Sequence, residues 1–341
     1  MTRKNKIALI IMLLFGVGIF WFEVRKLNLQ QLWQNVVHLH FGWLLIALVC
    51  MLLSWMFEAF VVQIFLKGRT KYFPFHNAIR VPLVEQLFNN ITPFASGGQP
   101  AQLVALMRSG VEAGRASSVL LMKFVVYQGM VLINFIFTMV VGFDQVAAKF
   151  SALALFIALG FVLHVSVIAM LLLVMYDYKF TKKVVGWLII PVRWFVNDKR
   201  AKQIKHNLDD KIDSFYQESL YLKREKKKVF YASVLTLIQL LFYYSVPYFV
   251  ILALGYTNVD FVRVLVMHVM IVMIISLFPI PGGSGGAEYS FKTLFATFIP
   301  SASKLVLGML LWRVFTYYLG MFMGIWALAV KPWKAPQTDH S

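Results

Sequence analysis

The chain has 341 residues, 60% hydrophobic and 14% charged, with a mean hydropathy of +0.72. A soluble domain carries about 25% charged residues, so this balance excludes an ordinary water-soluble enzyme and describes a chain solvated mainly by lipid. The net charge of +18 does not indicate nucleic-acid binding, because the positive residues flank apolar runs and no recognisable binding module accompanies them.

Residues 7–22 are apolar and follow Arg3, Lys4 and Lys6. With no small-residue cleavage site behind them, they read as an uncleaved first span and not as a signal peptide. Residues 27–38 read as an interfacial amphipathic helix, with Leu29, Leu32, Trp33, Val36 and Val37 on one side. The second span covers 41–66 and holds Cys50; as the only cysteine it excludes an intramolecular disulfide. Residues 76–110 are irregular. They run through Val81-Pro82-Leu83-Val84-Glu85, break between Thr92 and Gly98, and resume as a short helix from Ala101 to Met107. Spans follow over 114–141 and 151–175. The stretch 177–228 is polar, with fourteen lysines and arginines against seven acids. Its apolar portion, 184–196, carries Pro191, Arg193, Trp187 and Trp194 and reads as interfacial. A span over 229–254, a second irregular segment over 260–300 broken at 278–286, and a last span over 303–330 complete the chain.

The two irregular segments share one phrase. Pro93-Phe94-Ala95-Ser96-Gly97-Gly98 and Pro281-Gly282-Gly283-Ser284-Gly285-Gly286 both read P-x-x-S-G-G, 188 positions apart. Proline and glycine break helices, and broken backbone at membrane depth is tolerated only when buried in protein or facing a wet cavity. A matched pair of such breaks in two halves of a membrane chain points to a transport site. If both segments are re-entrant hairpins, one face collects both termini, the loops at 67–80 and 108–115, and the 177–228 stretch. That face holds 25 of the 33 lysines and arginines and is cytoplasmic by the positive-inside rule. The expected fold is therefore an all-α polytopic membrane protein with about six spans and two re-entrant hairpins. One membrane domain is expected, made of inverted repeats over 1–141 and 151–330, with a basic cytoplasmic insert at 177–228.

Ionisable side chains at membrane depth cost about 2.5–3.5 kcal/mol each on insertion scales, which makes each a functional candidate. Glu58, Glu85 and Glu288 are the acids; Arg108, Arg115, Lys123, Arg263, Lys292 and Arg313 are their possible partners. Lys123 and Arg313 lie well inside apolar spans, which suggests the pairs Glu85–Lys123 and Glu288–Arg313. Glu58 reads as a structural neutraliser. Helices beginning past Gly98 and Gly286 would aim free N–H groups at a phosphate or other anion, with Gln99 and Gln102 beside the first break. Thr92, Pro93, Ser96 and Gly97 on one side, and Pro281, Ser284, Gly285 and Gly286 on the other, complete the candidate translocation site. Gly320 and Gly324 fit close helix packing. His76, His164 and His268 show no metal-ligand spacing, and no catalytic constellation or cofactor motif is present, so neither metal nor cofactor is expected.

Residues 91–100, Ile91-Thr92-Pro93 through Gly97-Gly98-Gln99-Pro100, and residues 278–288, Phe278-Pro279-Ile280-Pro281 through Gly286-Ala287-Glu288, surround a basic middle loop. In this the chain resembles the lysylphosphatidylglycerol synthase transmembrane-region family, the flippase-like domain of multiple-peptide-resistance proteins. The resemblance implies a plasma-membrane lipid translocase that moves phosphatidylglycerol or lysyl-phosphatidylglycerol between leaflets and so contributes to resistance against cationic antimicrobial peptides. It implies phospholipid partners and a separate cytoplasmic lipid-modifying enzyme, since the form expected here is standalone, without the transferase domain. The alternative it carries is a phosphatidylglycerol lysyltransferase, or the membrane subunit of one.

Overall fold

Lipid offers no hydrogen bonds, so a chain buried in it satisfies its backbone internally, and helices result. The computed structural model describes residues 29–70, 72–149, 151–176, 179–180, 182–183 and 198–332. The expected first span at 7–22 and the interfacial segment at 184–196 lie outside the described residues. Among the described residues there is no strand beyond an isolated bridge between Lys67 and Thr70. In chain order the helices are α1 (Leu29–Val37), α2 (Phe41–Leu66), α3 (Phe75–Ile91), α4 (Gly98–Arg108), α5 (Ala113–Lys149) and α6 (Ser151–Tyr176). They continue with α7 (Asp198–Arg224), α8 (Lys226–Ala253), α9 (Phe261–Ile275), α10 (Gly286–Phe295), α11 (Ala302–Arg313) and α12 (Leu319–Ala329). A π-helical turn, Val314–Tyr318, joins α11 to α12 into one rod. Five of these bodies are long and apolar enough to cross a membrane: α2, α5, α6, α8 and the α11–α12 rod. The protein is an all-α polytopic membrane protein.

Two ends of the bundle can be told apart by their contacts. At the basic end, Lys228 Nζ donates to the Lys67 carbonyl (3.0 Å) and Arg115 Nη1 to the Arg69 carbonyl (2.9 Å). Phe65, Leu66, Val81, Leu106, Val111 and Ala232 cluster there. At the opposite end, His40 N–H donates to the Ala253 carbonyl (2.9 Å) and Lys304 Nζ to the Leu254 carbonyl (3.0 Å). Helices α2 and α8 pack along each other at the centre and run in opposite directions between these ends.

The broken segments follow the same logic. Helix α3 starts at the basic end, the chain breaks in a 3-10 turn at Pro93–Ala95, and α4 returns to the basic end. Helix α9 starts at the opposite end, where Phe261 meets Tyr248 edge-on at 4.9 Å. It breaks in a 3-10 turn at Pro281–Gly283, and α10 returns to the end it came from, Ile299 and Leu254 both bordering Gly308. Each hairpin therefore enters and leaves on one side, and the two sides differ. The 3-10 turns and the starts of α4 and α10 recur 188 residues apart, and so do two left-handed positions within the turns. Phe94 and Ala95 have φ of 53° and 51°; Gly282 and Gly283 have 62° and 60°. The second turn meets this geometry with glycine, whereas the first imposes it on residues with side chains, at a cost of about 1–2 kcal/mol each.

Helices in lipid gain little from apolar burial against one another, so they associate where small residues let backbones approach. A Cβ on Gly324 would lie 2.5 Å from the Leu83 carbonyl oxygen of α3, and one on Gly160 would lie 2.4 Å from the Met273 carbonyl oxygen of α9. Close packing is what Gly324 does here. Gly324→Ala therefore pushes α12 off α3 and costs about 1–3 kcal/mol, read as a lower unfolding midpoint in detergent. Gly129→Ala, where a Cβ meets nothing within 4 Å, leaves the midpoint unchanged.

Candidate functional site

The two breaks pack against each other at the border of a cavity of about 420 Å³. Phe94 and Gln99 border it from the first break, Ile280 and Gly282 from the second. Its polar wall carries Glu58, Glu85, Lys123, Gln239 and Arg313, with Tyr127, Tyr243 and Tyr317 between them.

One side of the wall is organised by Lys123 of α5. Its ammonium group, buried within apolar helices, has three protons to place. It donates to Glu58 of α2, to Glu85 Oε2 of α3 at 2.7 Å and to Gln102 Oε1 of α4 at 2.7 Å. Gln239 Nε2 of α8 donates to the second oxygen of Glu58 at 3.1 Å, which brings in a fifth helix. Every proton on Lys123 is used, and two carboxyls share one cation.

The other side is organised by Arg313, at the last position of α11, just before the π-helical turn. Such turns frequently mark functional positions within helices. Arg313 Nε donates to Glu288 Oε1 at 2.7 Å, Nη2 pairs with the same oxygen at 2.6 Å, and Nη1 donates to the Gly282 carbonyl at 3.0 Å. The guanidinium also lies 5.2 Å from the ring centres of Trp312 and Tyr317. The π turn brings Tyr317 against the first hairpin: Tyr317 Oη donates to the Asn90 carbonyl (3.2 Å), and Asn90 Nδ2 donates to the Tyr317 carbonyl (3.0 Å).

The structure brings together Glu85 with Lys123 and Glu288 with Arg313, and it adds Glu58, read from the sequence as a structural neutraliser, to the Lys123 pair. Gln239 was missed altogether; a glutamine in the middle of an apolar span was the available signal. At each helix start one N–H group beside the expected anion seat is already engaged. Helix α10 does begin at Gly286, but the Gly285 N–H donates to Glu288 Oε2 at 2.6 Å, so the helix's own carboxylate occupies that position. At the first break the Gly97 N–H donates to Thr92 Oγ1 at 2.8 Å. Ser96 and Ser284 do the same work in the two turns, each hydroxyl donating to the proline carbonyl three residues earlier, Pro93 (2.9 Å) and Pro281 (3.1 Å). Gly98 and Gly286 leave room for Asn89 and for the Phe278 ring.

The remaining candidates are elsewhere. Arg115 is exposed and pairs with Glu112 at 3.4 Å; Arg263 is exposed at the start of α9, where its N–H donates to Asp260. His268 accepts from Trp312 Nε1 at 3.1 Å, and its Nδ1 lies 3.1 Å from the Tyr244 carbonyl. That pairing fixes the neutral tautomer with its proton on Nδ1, and both ring nitrogens are engaged. Among the described residues no group of three His, Cys, Asp or Glu side chains could hold a metal ion.

Removing one member of a buried charge cluster leaves the others uncompensated, at about 3–5 kcal/mol. Lys123→Met therefore lowers the unfolding midpoint sharply, and adding Glu58→Gln recovers part of the loss. Detergent-phase thermal unfolding of the single and double variants checks this; a single variant as stable as the parent contradicts it.

Comparison with known proteins agrees with this architecture. A membrane protein of Archaeoglobus fulgidus, named only as a UPF0104 membrane protein, is 24% identical over 303 residues, spanning 86% of this chain and 87% of that one. The family model described as Lysylphosphatidylglycerol synthase TM region matches residues 8–324, which include both breaks, the Lys123 cluster and the Arg313 cluster. The chain belongs to the lysylphosphatidylglycerol synthase transmembrane-region family.

Proposed function

We propose that the protein carries a phospholipid head group between leaflets through the cavity between the two breaks, while the acyl chains stay in lipid. The observation that carries this reading is the placement of the cavity. Hairpins that enter from opposite ends meet at it, so a small rocking of one against the other would open it to one side or the other. In this reading residues 1–141 and 151–330 are inverted repeats. The basic end, the 177–228 insert and both termini face the cytoplasm of a bacterial-type cell, following the positive-inside rule.

The charges favour a particular head group. Three carboxyls (Glu58, Glu85 and Glu288) stand against two cations (Lys123 and Arg313), and both cations are already paired. A purely anionic head group finds no spare cation there. One that carries amino groups beside its phosphate, as lysyl-phosphatidylglycerol does, brings its own cations to carboxyls that outnumber theirs. An enzyme that aminoacylates phosphatidylglycerol would supply this substrate. Its arrival in the outer leaflet lowers the negative surface charge and weakens the binding of cationic antimicrobial peptides.

The test is reconstitution in liposomes containing tail-labelled lysyl-phosphatidylglycerol, with a membrane-impermeant quencher added outside. The expected result is protein-dependent quenching of inner-leaflet label, faster than for phosphatidylglycerol carrying the same label. Glu288→Gln, which removes the charged partner of Arg313, slows it by about tenfold or more. Quenching no greater than in protein-free liposomes, for folded protein and both lipids, overturns the reading.

A further inference from the structure

At the basic end, away from the cavity, Arg80 has no counterion among the described residues. Arg80, in the second turn of α3, is 5% exposed. Its Nε and Nη1 are sealed from solvent and have no hydrogen-bond partner. Among the described residues no carboxylate pairs with it. Two described acids at this end are paired with other cations, Glu112 with Arg115 and Glu225 with Lys228 at 3.5 Å. The charged neighbour that acts on Arg80 is another arginine, Arg108, the last residue of α4.

A buried guanidinium is sustained only when an opposite charge and acceptors for its planar N–H groups accompany it. Among the described residues Arg80 has no opposite charge, its Nε and Nη1 have no acceptor, and Arg108 makes its position worse. The C-terminal carbonyls of α4 offer little relief, because those from Ala105 to Met107 already accept from Ser109, Gly110 and Val111. The missing group is therefore negative, presents several oxygens, and reaches the basic end where Arg108 stays exposed. A phosphate meets all three conditions, and arginine is the side chain suited to it.

We propose that Arg80 and Arg108 form a phosphate-binding site at the mouth of the first hairpin, separate from the central cavity. Neither residue lines that cavity. The ligand class is a phosphate, either of a phospholipid head group at the interface or free in solution. Occupancy would neutralise the root of the α3–α4 hairpin, so the bound anion would steady the element that carries the first break. This site stands whether or not lipid is translocated, since binding alone tests it.

The purified full-length protein in a neutral, phosphate-free detergent is titrated separately with inorganic phosphate, with short-chain phosphatidylglycerol and with potassium chloride at matched ionic strength, and thermal unfolding is followed. The expected result is a saturable rise in midpoint with a phosphate ligand and none with chloride. Arg80→Met should keep or raise the ligand-free midpoint, because it removes an uncompensated charge, while weakening phosphate binding at least tenfold. A purely structural arginine would do the reverse. Arg108→Gln, at an exposed position that tolerates the change, should weaken binding several-fold without loss of folding. A response to phosphatidylglycerol but not to inorganic phosphate assigns the site to a lipid head group; a response to both assigns it to phosphate in general. No saturable response to either ligand, or equal affinity in the parent and both variants, overturns the proposal.

Discussion

An ammonium group at membrane depth has to find acceptors for all its protons, and Lys123 finds them on three other helices. Glu58, Glu85 and Gln102 belong to α2, α3 and α4, and Gln239 ties α8 to the same cluster. In lipid, where apolar contact does little to favour one helix arrangement over another, such a cluster fixes which helices are neighbours and at what height. It also holds α3 and α4, the two arms of the first hairpin, on either side of their break. Arg313 does the equivalent for the second hairpin, joining the α10 carboxylate Glu288 and the Gly282 carbonyl to the rod that follows.

The two clusters solve a common problem with different residues. Each braces a helix break whose backbone passes through the left-handed region, and each lends polar groups to one cavity, Glu58, Glu85 and Lys123 from one and Arg313 from the other. The second break uses glycines and lets Glu288 fill the start of its own helix. The first uses Phe94 and Ala95 and relies on Thr92, whose hydroxyl donates to the Phe88 carbonyl at 2.6 Å and accepts from the Gly97 N–H. The strain of the first break is thus carried by local hydrogen bonds and by the Lys123 cluster behind it. Contacts between Asn90 and Tyr317 then connect the first hairpin to the rod that carries Arg313, through main chain on both sides.

Much of this was legible in the sequence because lipid is a demanding solvent. Long apolar runs gave the spans, and Pro93 to Gly98 and Pro281 to Gly286 gave the breaks, since little else tolerates proline and glycine at that depth. The pairing of Glu85 with Lys123 and of Glu288 with Arg313 followed from the need to neutralise charge. What the sequence hid depends on contacts between helices remote along the chain. Glu58 and Lys123 are far apart in sequence, and no local pattern shows that they touch. The seat at the start of α10 looked open because glycines precede it, yet Glu288 three residues on folds back into it. Arg80 looked like one more loop cation of the basic face. Only packing of α3 against α4 and its neighbours reveals that it is enclosed.

The central claim is that one cavity, shared by two oppositely entering hairpins, is reached from both faces of the membrane. The most direct measurement uses protein with Cys50 replaced by alanine and a single cysteine at Gln99 or at Ser276, both of which border the cavity. In oriented vesicles, a membrane-impermeant maleimide is applied to one face or the other. The account predicts that each position is labelled from both faces, and that locking the cavity toward one side abolishes labelling from the opposite one. Labelling of each position from a single face under all conditions would contradict it.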